Sequence, residues 1–231
     1  MSIDSAGPAN VRVTPTQPAQ CSPEQRLTRS LLGYGAAAGP FYIVISLAQA
    51  VAHDGFDLTR HDWSLLATGP AGWIQIANLV LTGAMTLAFA VGLARSTSTR
   101  WAPRLVATYG VGLMLAGILV ADPTSGYPVG AATPDAPSWH GLGHVIAGGL
   151  GFLAVIVAAF ALARTFAREG DTAFAWWSRL TGAFYLAAFA GIASGSTGPA
   201  IVLTFTAAVV ALWTWIAAIA VRQSRALGSA R

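Results

Sequence analysis

The chain has 231 residues, of which 55% are hydrophobic and 10% charged, with 13 cationic against 9 acidic side chains. Soluble domains carry roughly a quarter charged residues, so this composition excludes an ordinary soluble enzyme and points to an integral membrane protein whose first partner is the lipid bilayer. The basic surplus is no nucleic-acid surface, because every cation is an Arg and the Arg sit in small groups beside apolar runs.

Residues 1–30 are rich in Pro, Ser, Thr and Gln without apolar periodicity, which predicts a disordered tail. Cys21 lies in it and is the single cysteine, so no intramolecular disulfide can form. The first apolar run, Leu31 to Ala52, ends near an A-x-A pattern at Ala48 to Ala50. Its length and the interruptions at Gly39, Pro40, Ser46 and Gln49 favour a retained span over a cleaved signal peptide. Five more runs approach the roughly 20 residues that cross a bilayer as helix: Gly72 to Ala94, Pro103 to Ala121, Leu142 to Ala163, Ala175 to Ser194 and Ala200 to Val221. Beta structure is not expected, since these runs are too long and too continuously apolar for barrel strands.

The Arg residues orient the spans. Arg12, Arg26 and Arg29 precede the first. Arg95, Arg100 and Arg104 lie around the junction of the second and third, and Arg164, Arg168 and Arg179 around that of the fourth and fifth. Arg222, Arg225 and Arg231 follow the sixth, and Arg60 alone falls on the other side. By the positive-inside rule both termini are cytoplasmic. Trp63, Trp73 and Trp139 then fall at outer boundaries and Trp101, Trp176 and Trp177 at inner ones, where indole is favoured. Trp213 and Trp215 lie in the inner half of the last span and fit this scheme loosely. Gly35 with Gly39 and Gly191 with Gly195 have the four-residue spacing that lets helices approach closely. The expected fold is all-α: a polytopic bundle with six transmembrane helices over 31–222, and a cytoplasmic tail over 223–231. It is expected in the cell membrane as a multi-pass protein.

Several motifs together resemble a family of prokaryotic six-helix membrane proteins catalogued as domain of unknown function 998. They are Gly39-Pro40 in the first span, the H-D-W-S of His61 to Ser64, and G-W-I-Q at Gly72 to Gln75 followed by Asn78. Asp122-Pro123, Tyr127-Pro128 and the H-G-x-x-H of His140 to His144 complete the set. The resemblance covers about residues 30 to 222 and implies an integral membrane fold without an agreed activity.

The candidate chemistry gathers on the outer side, with all four His and most of the Asp. Tyr42, Ser46, Gln49 and His53 form a polar stripe at helical spacing on the first span, and Gln75, Asn78, Thr82 and Thr86 form another on the second. Polar groups in hydrocarbon need partners, so the stripes are expected to face each other or a hydrated cavity. With Asp122, His140 and His144 entering at the same depth, an outward-facing polar pocket follows. Its candidates are Gln49, His53, His61, Ser64, Gln75, Asn78, Asp122, His140 and His144, and its ligand would be lipid-like or a small polar molecule. His140 and His144 are four apart, on one face of a helix, and with Asp122, His53 or His61 they could hold a divalent metal such as zinc. That arrangement suits a hydrolase or transferase acting on an envelope lipid, with Ser64 or Asp62 binding substrate or moving protons. The structural alternative is that these His and Asp residues tie the third and fourth helices together and cap the fourth. A transporter of small solutes is the third class. It is disfavoured because no span carries a Lys, Asp or Glu near its centre.

Overall fold

In the computed structural model the described residues are 22–196 and 198–229. The expected disordered tail up to Cys21, with Arg12, and the terminal Arg231 lie outside them. The described residues form six α helices and one 3-10 helix. These are α1 (Pro23–Ala52), the 3-10 helix (Trp63–Thr68), α2 (Gly72–Ser96), α3 (Trp101–Ile118), α4 (Trp139–Arg168), α5 (Thr172–Ala193) and α6 (Pro199–Ser229). Each α helix packs on the next in sequence, and α6 returns to pack on α1, so the bundle is a closed ring. Four of the helices are long and apolar enough to cross a membrane: Pro23–Ala52, Gly72–Ser96, Trp139–Arg168 and Pro199–Gly228. The other two are diluted by polar groups. The 18 residues of α3 include Pro103 and Arg104, and the first half of α5 holds Trp176, Trp177, Ser178 and Arg179.

Several helix limits differ from the expected ones, and three of the differences have a local reason. First, α1 begins at Pro23 rather than Leu31, because Ser22 and Gln25 form a capping box and Pro23 occupies the first turn, where its missing N–H costs nothing. At the other end α6 runs on to Ser229 through Arg222, Gln223, Arg225, Ala226 and Leu227, good helix formers that carry the intervening Ser224 and the terminal Gly228 with them. The third is α4, which starts at Trp139 because Ser138 caps it, its hydroxyl accepting from the Gly141 N–H at 3.0 Å.

The helices come close where side chains are smallest. A methyl at Gly110 would lie 2.9 Å from the Gly83 carbonyl, and one at Gly112 would lie 3.0 Å from Gly151 Cα, so α2, α3 and α4 meet backbone to backbone. Gly35 and Gly39 make room for rings instead, Phe89 on α2 and Trp213 on α6. Gly195 departs from the expected packing pair with Gly191. It has φ +78° in the α5–α6 turn and no neighbour within 4 Å of a methyl placed on it. Trp73, Trp101, Trp139 and Trp176 are exposed, whereas Trp63, Trp213 and Trp215 are buried inside the bundle.

The two ends of the bundle are unequal. At the lower end the α2–α3 and α4–α5 connections are short. There Arg222 bridges Glu169 at 3.0 Å and Asp171 at 2.9 Å, with its guanidinium over the Phe166 ring at 4.4 Å. The upper end carries the long connections, residues 53–71 and 119–138, together with every His in the chain.

Candidate functional site

The two long upper connections dock on each other. The Asp57 N–H donates to His61 Nδ1 at 2.9 Å, so that nitrogen is unprotonated and the opposite Nε2–H donates to the Ser125 carbonyl at 3.1 Å. His53 Nδ1 meets the Tyr127 hydroxyl at 3.2 Å. Burial pushes the Tyr127 phenol above its ordinary range, so the hydroxyl keeps its proton. Phe56 stacks edge-on against Tyr127, ring centres 5.1 Å apart, and tilts against His61 at 5.2 Å. His53 and His61 therefore belong to a latch between loops.

A second set ties α3 to α4. Asp122 accepts from the Ser138 N–H at 2.9 Å and the Ser138 hydroxyl at 2.6 Å, and those bonds hold its carboxyl below the usual range. A carbonyl can only accept, so both imidazoles of α4 donate from Nδ1. His140 donates to Val120 O at 2.7 Å, and His144 to Ala116 O at 2.8 Å and Leu119 O at 3.0 Å. Carbonyls at the end of α3 and just past it, at Ala116, Leu119 and Val120, are thus satisfied by side chains of the next helix. Among the described residues no group of three or more His, Cys, Asp or Glu is gathered as a metal would need. Asp122, His140 and His144 lie in one region, but the carboxylate is committed to Ser138.

The two polar stripes face each other. Gln49 donates to Gln75 Oε1 at 2.8 Å. Asn78 Nδ2 reaches Ser46 Oγ at 3.1 Å, Gln75 Oε1 at 3.1 Å and the Tyr42 carbonyl at 3.2 Å. Thr82 continues the line to Asn78 Oδ1 at 3.4 Å, and the Thr86 hydroxyl donates to the Thr82 carbonyl at 2.8 Å. These bonds make a buried seam between α1 and α2, and Gln49, Gln75 and Asn78 do not line the cavity.

The cavity itself measures about 610 Å³ and is mainly apolar, which departs from the expected polar pocket. A chain of aromatic rings runs along it. Trp63 lies 5.6 Å from Tyr42, Tyr42 lies 6.0 Å from Trp213, and Trp213 lies 5.8 Å from Tyr109. Tyr109 continues to Phe152 at 6.3 Å, and Phe152 meets Tyr185, Phe189 and Phe205 at 5.4–5.6 Å. Every helix but α2 contributes a ring. Of the residues to which the sequence assigns chemistry, Asp62, Ser64, Asp122 and His144 line the cavity, all toward its upper end.

The wall of the cavity is thin along α4. Leu142 and Val145 line it yet are 52% and 67% exposed on the outside of the bundle. Nothing lies within 4 Å of a methyl placed on Gly148, and only Phe189, at 3.7 Å, near one on Gly149. Lower down α4 and α5 pack closely, with Ala159 and Phe160 3.2 Å from a methyl at Gly182.

The group that stands out here reads from the sequence only as an alternative to Ser64 for binding substrate or moving protons. Asp62, at the start of the 3-10 helix, lines the cavity; its carboxyl group makes no hydrogen bond or ion pair among the described residues, and its Oδ1 is buried. Burial raises that carboxyl above the usual range, against a smaller opposing effect of His61. The Trp63 Nε1 and Tyr185 hydroxyl, also on residues of the cavity wall, are buried without hydrogen-bond partners among the described residues. The available signal was weak: an Asp in an outer loop is ordinary, and only the aromatic next to it hinted at burial.

A family model described as "Protein of unknown function (DUF998)" matches residues 36–222. No curated protein and no solved structure matches the chain.

Proposed function

The chain belongs to that family of unknown function, and we propose that it crosses the membrane six times, both ends cytoplasmic, and binds a lipid-like amphiphile in the cavity between its helices. The observation that carries this reading is the cavity's composition: about 610 Å³ of mainly apolar and aromatic lining, with its charged groups near the loops and with Leu142 and Val145 of α4 both lining it and exposed. An amphiphile entering from the outer leaflet can bury its chain against rings and leave its head beside Asp62, Ser64, Asp122 and His144. The Arg of the lower connections and termini support the orientation. For α3 and α5, a place in the closed ring of helices supports crossing despite their polar residues.

A phenylalanine at Gly148 would project into open space in the cavity. Mass spectrometry of lipids retained by the purified chain should find an amphiphile in near-equimolar amount with wild type and several-fold less with Gly148→Phe. Equal retention by both proteins, or none by either, would remove the basis for a ligand site.

A further inference from the structure

Resting on the cavity as a ligand site, we propose that its upper end selects an ammonium head group, with Asp62 as counter-charge and the faces of Trp63 and Tyr42 as the flanking walls. A carboxylate in a half-buried position is costly unless something opposite in charge or rich in N–H donors meets it. Asp62 has no such partner among the described residues. The neighbours that could serve are otherwise engaged. Arg60 is exposed and acts on Asp57, and both His61 nitrogens are taken by backbone groups.

Three further features bias the site toward a cation. Among the described residues no Arg lines the cavity, so nothing there would neutralise a phosphate or carboxylate head. Asp122 adds a second carboxylate to the lining. The rings of Trp63 and Tyr42, tilted at 47° with centres 5.6 Å apart, offer the electron-rich faces that attract ammonium groups once water is excluded. The remaining rings supply the apolar length for the hydrophobic part of the molecule. An anionic head meets repulsion from Asp62 and Asp122 at this mouth, and an uncharged one gains at most a hydrogen bond without the charge attraction.

The test uses the full chain in a neutral steroid-glycoside detergent, with three probes that share a fourteen-carbon chain, about the length of a short acyl tail: a trimethylammonium, a maltoside and a sulfate. Quenching of tryptophan fluorescence reads binding. Wild type should take the ammonium probe at a concentration at least about tenfold lower than the other two, a difference of about 1.4 kcal/mol. Asp62→Asn, nearly the same shape without the charge, should abolish that preference and keep maltoside binding, and Trp63→Leu should weaken it. Competition by phosphatidylethanolamine would identify a bilayer lipid as the source of the head, and its failure a free amphiphile. Equal affinity for the three heads in wild type, or a preference that survives in Asp62→Asn, overturns the assignment to Asp62 while leaving the cavity reading intact. Failure of all three probes to bind overturns both.

Discussion

At Asp122 two hydrogen bonds from one residue decide how α4 begins. Its carboxylate holds the N–H and hydroxyl of Ser138, whose hydroxyl in turn accepts from the Gly141 N–H. Because these bonds favour the ionised form, the Asp122 carboxyl lies below its ordinary range in the folded protein. The contribution is therefore complete above the unfolded carboxyl's pKa and fades as the pH falls through the folded one. The gap in thermal midpoint between wild type and Asp122→Asn should be constant from about pH 7 to about pH 5 and shrink below about pH 4; a gap that widens in acid would contradict the linkage. Ser138→Ala, which also removes the cap, should lower stability by about 1 kcal/mol. Much at this scale was legible: the spacing of His140 and His144 placed both on one helix face, and they are. Their targets were not, because the carbonyls at Ala116, Leu119 and Val120 carry no sequence signal. Asp62 reads from the sequence only as an alternative to Ser64, since nothing local distinguishes a loop Asp with a partner from one without.

The pairing of α1 with α2 rests on the polar seam. Ser46, Gln49, Gln75 and Asn78 recur at three-residue spacing within each pair, so each set projects from one side of its helix, and two such sides in hydrocarbon stabilise each other by meeting. Asn78 is the most connected member, with one amide nitrogen shared among Ser46, Gln75 and the Tyr42 carbonyl. Asn78→Leu should lower unfolding stability by about 1 kcal/mol, the typical worth of interhelical hydrogen bonds in membranes, and should leave binding of an uncharged amphiphile in the cavity unchanged. If the seam instead lined a permeation path, the substitution would alter solute uptake by reconstituted vesicles without a stability cost, and that result would refute the structural role. The stripes could be read from the sequence because polar residues are conspicuous in an apolar span. The aromatic chain could not. Tyr42, Tyr109, Phe152, Tyr185 and Phe205 sit on five different helices, and only the ring closure of α6 on α1 brings them around one space.

For the molecule as a whole, the charge asymmetry and the distribution of connections agree. The upper connections hold a single cation, Arg60, against the several Arg of the lower end. The same upper connections interlock through His53, His61, Ser125 and Tyr127 into a lid, beneath which the cavity lies. The helix order around the ring was not readable from the sequence, since all six runs are apolar and their pairing depends on glycine contacts such as Gly83 with Gly110. What the ring adds is a constraint on topology. If α3 and α5 cross beside their neighbours, residues 119–138 and residues 97–100 must lie on opposite sides of the membrane. Replacing Cys21 with Ser and placing single cysteines at Ala132 and Ser98 tests this in intact cells with a membrane-impermeant maleimide. Ala132→Cys should label from outside and Ser98→Cys only after the cells are opened. The reverse pattern would invert the protein and turn the His-bearing end to the cytoplasm. Labelling of both sites from one side would mean that α3 does not cross, which would also deprive the cavity of the wall that Tyr109 and Leu113 supply.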